Sequence, residues 1–299
     1  MNTKNQFNHE IRQISLLLQS ILNGLIYTNL WISVGAVALV FSSCTILEIQ
    51  VDSLMYSLAF LGTLCIYNLT AFYLSQPTSP KFIFMLKHKK ILQKSSIISG
   101  IGAAFLGLSL GFKAIIFLTH IGLIALLYTI RLNFRNPLTQ YQIRLGELRQ
   151  IPYLKTILVG YVWASVAVTL PFLTQFSIST DLSPQIAGIF LGQFLFIIGI
   201  TLPFDIRDFR TDEAMGLKTF AQKGIRRTKF LSIICLVISG LLYFLFADVE
   251  FSKALILTNI LAGFLTLFAS PDRPELYYTG LIDGTIVLQA LFTYLIINL

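Results

Sequence analysis

PFDIRDFRTDEAMGLKT, Pro203 to Thr219, closes a long apolar run. It carries Asp205, Asp208 and Asp212, three of only 14 acidic residues in a chain of 299. On a helix, positions i, i+3 and i+7 share a face, so this spacing gathers the three carboxylates into one row, with Arg207 and Arg210 roughly opposite. Like charges in a row repel unless a cation is shared. Such a row at the edge of a membrane suggests a Mg²⁺ site for a phosphorylated ligand.

The surroundings set the row at a membrane. The chain is 55% hydrophobic and 12% charged, against roughly 25% charged in an ordinary soluble domain. Apolar stretches long enough to cross a bilayer recur from end to end, without the short alternating strands of a β-barrel. The expected fold is all-α: one polytopic domain over residues 1–299, with no polar linker dividing it. Nine spans are expected, near 22–42, 54–73, 91–111, 113–130, 156–175, 185–204, 229–247, 253–270 and 279–298. The third and fourth are parted only by Gly111-Phe112-Lys113, a tight hairpin. Residues 1–20, with Ile11, Ile14, Leu17, Leu18 and Ile21 at helical spacing, are expected to lie along the interface.

Charge supports the count. With the N-terminus inside and nine spans alternating, 20 of the 22 basic residues fall on one side and only Lys113 and Lys253 on the other. That asymmetry follows the positive-inside rule and predicts a cytoplasmic N-terminus and an outer C-terminus, in a bacterial inner membrane. The net charge of +8 is then a surface asymmetry toward anionic membrane lipid, with no nucleic-acid site implied. The inner loops 74–90, 131–155 and 205–228 are the longest and most polar, so a polar site should open among them.

Other residues read more plainly. Cys44, Cys65 and Cys235 lack zinc or redox spacing and are expected as packing residues. His120 is expected to bond a neighbouring helix. Gly100, Gly102 and Gly107 lie inside an apolar span, where small residues let helices approach. Glu147, between Arg144 and Arg149, reads as a local ion pair. Asp283 lies just inside the ninth helix and is a functional candidate, because ionisable groups there are costly.

The DxxDxxxD spacing, the Gly216-Leu217-Lys218-Thr219 that follows it and its position after the sixth helix resemble the second aspartate-rich motif of the UbiA-type intramembrane prenyltransferases. Leu127-Tyr128-Thr129 is similar to that family's Tyr-Ser element. The resemblance implies an all-α bundle around a central lipophilic cavity, capped by inner loops. It implies transfer of a prenyl group from an allylic diphosphate to a lipophilic acceptor, with Mg²⁺ held against the diphosphate. Asp205, Asp208 and Asp212 would then be catalytic as metal ligands, Asp212 through water. Lys218, Lys155, Asn68 and Tyr128 would be diphosphate-side residues.

The sequence departs from the family at its first motif, NDxxDxxxD. The corresponding stretch, Asn68 to Gln76, keeps Asn68 but has Leu69, Phe72 and Gln76 for the three acids, and no acid occurs from Ser53 to Gly146. Three outcomes remain open: one Mg²⁺ with basic residues replacing the other, a related reaction such as prenyl diphosphate cyclisation, or isoprenoid-lipid binding without turnover. A transporter is disfavoured, since its polar groups and broken helices would gather at the midplane.

Overall fold

The computed structural model describes residues 19–72, 80–129, 153–175, 183–214 and 218–298, residue 13, and the backbone of 132–135 and 142–145. The proposed interfacial helix up to residue 18 (residue 13 apart), Gln76, Glu147 and Arg149, and most of the loop 131–155, lie outside the described residues.

Helices make up the membrane body. They are α1 (Gln19–Tyr27), α2 (Leu30–Ile46), α3 (Ser53–Leu69), α4 (Pro80–Lys87), α5 (Lys89–Ser109), α6 (Phe112–Thr129) and α7 (Leu154–Ala164). Then follow α8 (Leu170–Gln175), α9 (Pro184–Arg207), α10 (Phe209–Ala214), α11 (Ile225–Phe246), α12 (Val249–Leu267) and α13 (Gly284–Ile297). A short antiparallel hairpin, β1 (Leu132–Arg135) with β2 (Gln142–Leu145), pairs Leu132 with Leu145 in the loop after α6.

Eight helices among the described residues are long and apolar enough to cross a bilayer. The pair α1 and α2, bent by 69°, makes a ninth if its two helices together count as one span. The expected first span, 22–42, is therefore broken and reaches further, to Ile46. The break falls at Asn29, which takes left-handed backbone angles (φ 63°, ψ 14°) that asparagine tolerates better than most residues. The tight hairpin between the third and fourth spans is present: α5 ends at Ser109, α6 begins at Phe112, and Gly111 turns the chain at φ +92°, where a side chain would be strained.

The outside of the bundle is its greasiest part. Ile98, Ile101, Phe105 and Leu108 form an exposed stripe along α5, the face a lipid-immersed helix presents. Inside, close backbone contact takes over. α9 packs most extensively on α11, and a Cβ at Gly192 would lie 2.5 Å from the Tyr243 ring and one at Gly188 2.2 Å from Phe246. Buried hydroxyls seal the same seam. Ser239 Oγ donates to the Gly192 carbonyl at 2.8 Å and Ser232 Oγ to that of Gly199 at 2.6 Å.

The glycines expected to pack helices do so: Gly100 faces Cys65 on α3 and Gly107 faces Leu118 on α6. The three cysteines are free. His120 reaches across from α6 to the Tyr161 hydroxyl on α7, at 3.1 Å.

Candidate active site at the polar end of the bundle

The turn after α3, α4, the start of α7, the end of α9 and the loop before α13 meet at one end of the bundle. Lys155 on α7 pairs with Asp205 on α9, and the Lys81 backbone amide on α4 bonds Glu275 before α13, so distant segments of sequence meet there.

The aspartate row hangs on the end of α9. Pro203, inside α9, has no amide to give the Gly199 carbonyl, which accepts from Ser232 Oγ instead; Leu202 and Ile206 bury the last turn, with Phe204 packed against the core. Asp205 is buried, and its Oδ1 accepts from Lys155 Nζ at 2.9 Å. Lys155 stands in the first turn of α7, two residues after Tyr153, whose left-handed backbone (φ 66°) opens that helix. Asp208 ends α9 and is held by Arg207 in a two-pronged contact, Nε to Oδ1 at 2.8 Å and Nη2 to Oδ2 at 3.0 Å. The guanidinium also lies over the Phe204 ring, 4.9 Å from its centre. Arg207 thus points into the site rather than standing on a solvated opposite face. Asp212 follows on α10 and is buried. Lys218 is exposed beyond it.

The other wall is built around Asn68, fully buried at the end of α3. A lysine ammonium can only donate, so the contacts run in one direction from Lys81. Lys81 Nζ donates to Asn29 Oδ1 at 2.8 Å, Asn29 Nδ2 donates to Asn68 Oδ1 at 2.8 Å, and Asn68 Nδ2 donates to Ser95 Oγ at 3.3 Å. Both polar atoms of the Asn68 amide are therefore used inside the protein. Asn68 thereby ties the end of α3 to Asn29 and to Ser95 on α5.

Between the walls lies a compact set of charges. The Lys81 backbone amide donates to Glu275 Oε2 at 3.3 Å, and the Lys81 charge feels Glu275, Arg207, Asp283 and Asp208. Burial pushes the Lys81 ammonium down to about 8, against the upward pull of Glu275 and the two aspartates and with a smaller downward push from Arg207. Arg207 in turn feels Asp208, Glu275 and Asp283. A π-helical turn, Tyr277–Ile282, leads directly into Asp283, whose amide donates to the Tyr278 carbonyl five residues back at 3.0 Å. Such wide turns are frequent at functional sites because they re-aim the next side chain. Tyr67 adjoins this set; it accepts from Trp163 and lies within electrostatic reach of Asp283 and Tyr128.

Among the sequence-derived residues, Asp205, Asp208 and Lys155 come together, and Asn68 and Tyr128 stand at the same end. Asp283, considered from its depth alone, joins the charged set. Lys81, Asn29, Arg207 and Glu275 were not legible as site residues. The signal available for Lys81 was its place, five residues past the point where the first acidic motif should end. Asn29 carried a signal too, as a polar residue interrupting an apolar span.

Mg²⁺ takes one or two carboxylates and completes its shell with water and phosphate oxygens. Asp205 and Asp208, one turn apart on the end of α9, fit that requirement. The wall around Asn68 does not, because its polar side chains are amides, a hydroxyl and an ammonium. No group of three or more acidic, histidine or cysteine side chains suited to a metal comes together among the described residues.

No protein-family model matches the sequence, and no curated protein matches it. Solved structures do. A UbiA homolog from Archaeoglobus fulgidus superposes with a TM-score of 0.63 at 11% identity, covering 93% of this chain and 100% of its own. The form of that homolog bound to GPP and Mg²⁺ gives 0.59 at 12% identity, with 93% and 100% covered. A digeranylgeranylglyceryl phosphate synthase gives 0.53 at 17% identity, with 94% and 99% covered. The fold is thus of the UbiA type over nearly the whole chain: a multi-pass helical membrane protein.

Proposed function

We propose that this protein is a membrane prenyltransferase that takes the prenyl group of an allylic diphosphate and transfers it to a lipophilic acceptor. The observation that carries this reading is the meeting of Asp205, Asp208, Lys155, Arg207 and Lys81 at one end of an otherwise apolar bundle. A diphosphate head could bind among these charges while its prenyl tail lies in the greasy interior. The A. fulgidus homolog's complexes with GPP or DMAPP and Mg²⁺ support a prenyl diphosphate as the ligand of such a scaffold.

Asp205 and Asp208 would hold Mg²⁺, which when bound neutralises phosphate charge and favours departure of the diphosphate. Every other contribution comes from the chain. Lys155, released from Asp205 as the ligand binds, and Arg207 would donate to phosphate oxygens that gain charge as the C–O bond breaks. Tyr67 and Trp163 present aromatic rings beside the charges, where an allylic cation could be stabilised. The apolar bundle excludes the water that would quench that cation. Asp212, Lys218 and Tyr128 complete the proposed set, Asp212 through water and Lys218 from the loop beyond it. The proposed orientation sets this end toward the cytoplasm.

A specific observation favours a second reading. Asp205 and Asp208 are each already matched by a cation, and the segment around Asn68 has no acid. A protein that binds isoprenoid lipid without turnover would need no more.

The test uses purified protein in detergent with Mg²⁺ and labelled allylic diphosphates, with and without a lipid extract. Diphosphate release that is lost in Asp205→Ala and Asp208→Ala, and that depends on acceptor, is expected. Release without acceptor would assign cyclisation instead. Binding of isoprenoid without any release would leave only the non-catalytic reading.

A further inference from the structure

The wall around Asn68 lacks acids, yet it is built with care. A helix is broken at Asn29, the backbone there is left-handed, and two buried amides are spent in series. Their common product is the placement of a single ammonium, Lys81 Nζ, at the Asn29 oxygen. That ammonium sits within electrostatic reach of Glu275, Asp283 and Asp208. The Lys81 backbone amide is in turn fixed by Glu275 Oε2, at 3.3 Å. Arg207, also in reach, supplies a second fixed positive charge.

We propose that Lys81, held by the Asn29–Asn68–Ser95 relay, is a tethered cation that takes the place of a second metal ion and grips the diphosphate from the wall opposite Asp205 and Asp208. This deepens the prenyl diphosphate reading and rests on it. The chemistry is consistent on both sides. An ammonium needs a neutral oxygen to hold it, and this wall provides one at Asn29, while Glu275 on the segment before α13 fixes the Lys81 backbone. A divalent ion would need carboxylates in direct contact, and the segment from Ser53 to Gly146 has none. Replacing the acids by Leu69 and Phe72 while keeping Asn68 is what a lysine-based site permits. Lys81 is thus a diphosphate-binding residue, and Asn29 and Asn68 are positioning residues.

The experiment uses the full-length protein in detergent, inorganic diphosphate as ligand and Mn²⁺ as a countable stand-in for Mg²⁺. Electron paramagnetic resonance should count one tightly bound Mn²⁺ per chain in the presence of diphosphate. Calorimetry should show Lys81→Met weakening diphosphate binding by ~10–100-fold, the range for losing a hydrogen bond to a charged group. Lys81→Arg should stay within ~3-fold of wild type. Asn29→Ala, which keeps the ammonium but removes its holder, should lose ~3–10-fold and serves if Lys81→Met does not fold. Two bound Mn²⁺ per chain, or variants at Lys81 and Asn29 that bind diphosphate like wild type, would overturn the tethered-cation assignment and leave the prenyl diphosphate reading standing. No diphosphate binding by wild type under any metal condition would overturn both.

Discussion

The two walls of the site reach the same end of the bundle by opposite means. The aspartate wall hangs on α9, a continuous 24-residue helix locked to α11 by glycine contacts and buried hydroxyl bonds. The asparagine wall hangs on a broken span, α1 and α2, and on the short α4, tied together by side-chain amides. One wall holds carboxylates on a rigid helix end; the other holds an ammonium at a bend. The contrast teaches that losing one acidic motif need not empty a site, because a cation can be supplied by the chain as well as by solvent.

The largest expected effect tests the rigid wall. Lys155→Met leaves the buried Asp205 carboxylate without its partner, and breaking such a pair costs ~3–5 kcal/mol. A large drop in melting temperature is expected, partly restored by Lys155→Met with Asp205→Asn. If Lys155→Met melts like wild type, Asp205 is held by something other than its lysine.

Next comes the seam that fixes α9. Gly192→Val would drive side-chain atoms into the Tyr243 ring, and overpacking of this kind costs ~1–3 kcal/mol. Thermal unfolding should fall accordingly while the Lys81 wall, on other helices, keeps its response to Lys81→Arg. Equal loss at both walls would show that they are not separate units.

The pH response sharpens the comparison further. Lys81 sits at about 8, so it loses its charge as pH rises through that value. Between there and the ordinary value of 10.5, the unfolded chain still holds a proton that the folded chain has released, so this group adds stability as pH rises. Diphosphate affinity should move the other way, falling above about 8 in wild type and staying flat in Lys81→Arg. Calorimetric titrations from neutral to alkaline pH compare the two proteins. Identical profiles would remove Lys81 from the binding step.

The smallest effect is expected outside both walls. Arg210 and Asp272 form a 2.8 Å pair, but both side chains are more than two-thirds exposed. Arg210→Ala should change stability by under ~1 kcal/mol. A larger loss would mean that the α10 end of the site is anchored through this loop.

Most of the membrane architecture could be read from residues in order. Spans of about 20 apolar residues and an uneven distribution of Lys and Arg need only length and charge. The Gly111 hairpin was legible because a tight turn at positive φ favours glycine. The break at Asn29 was not, since an apolar run reads the same whether it is straight or bent. The aspartate row was legible because its spacing is helical and local. Its ion pairs were less so: Lys155 is 50 residues from Asp205, and Arg207, on its helix, was expected to face away.

The sequence by itself determined a nine-span helical membrane protein with a carboxylate row at one end, because hydrophobic length, charge placement and i, i+3 spacing are properties of neighbouring residues. Only the tertiary structure decided what faces that row. Asn29, Lys81, Glu275 and Asp283 lie up to 254 positions apart, and no local pattern links them. Their meeting depends on helix packing and on one bend in the first span, which together bring an ammonium to the wall where the acids are missing.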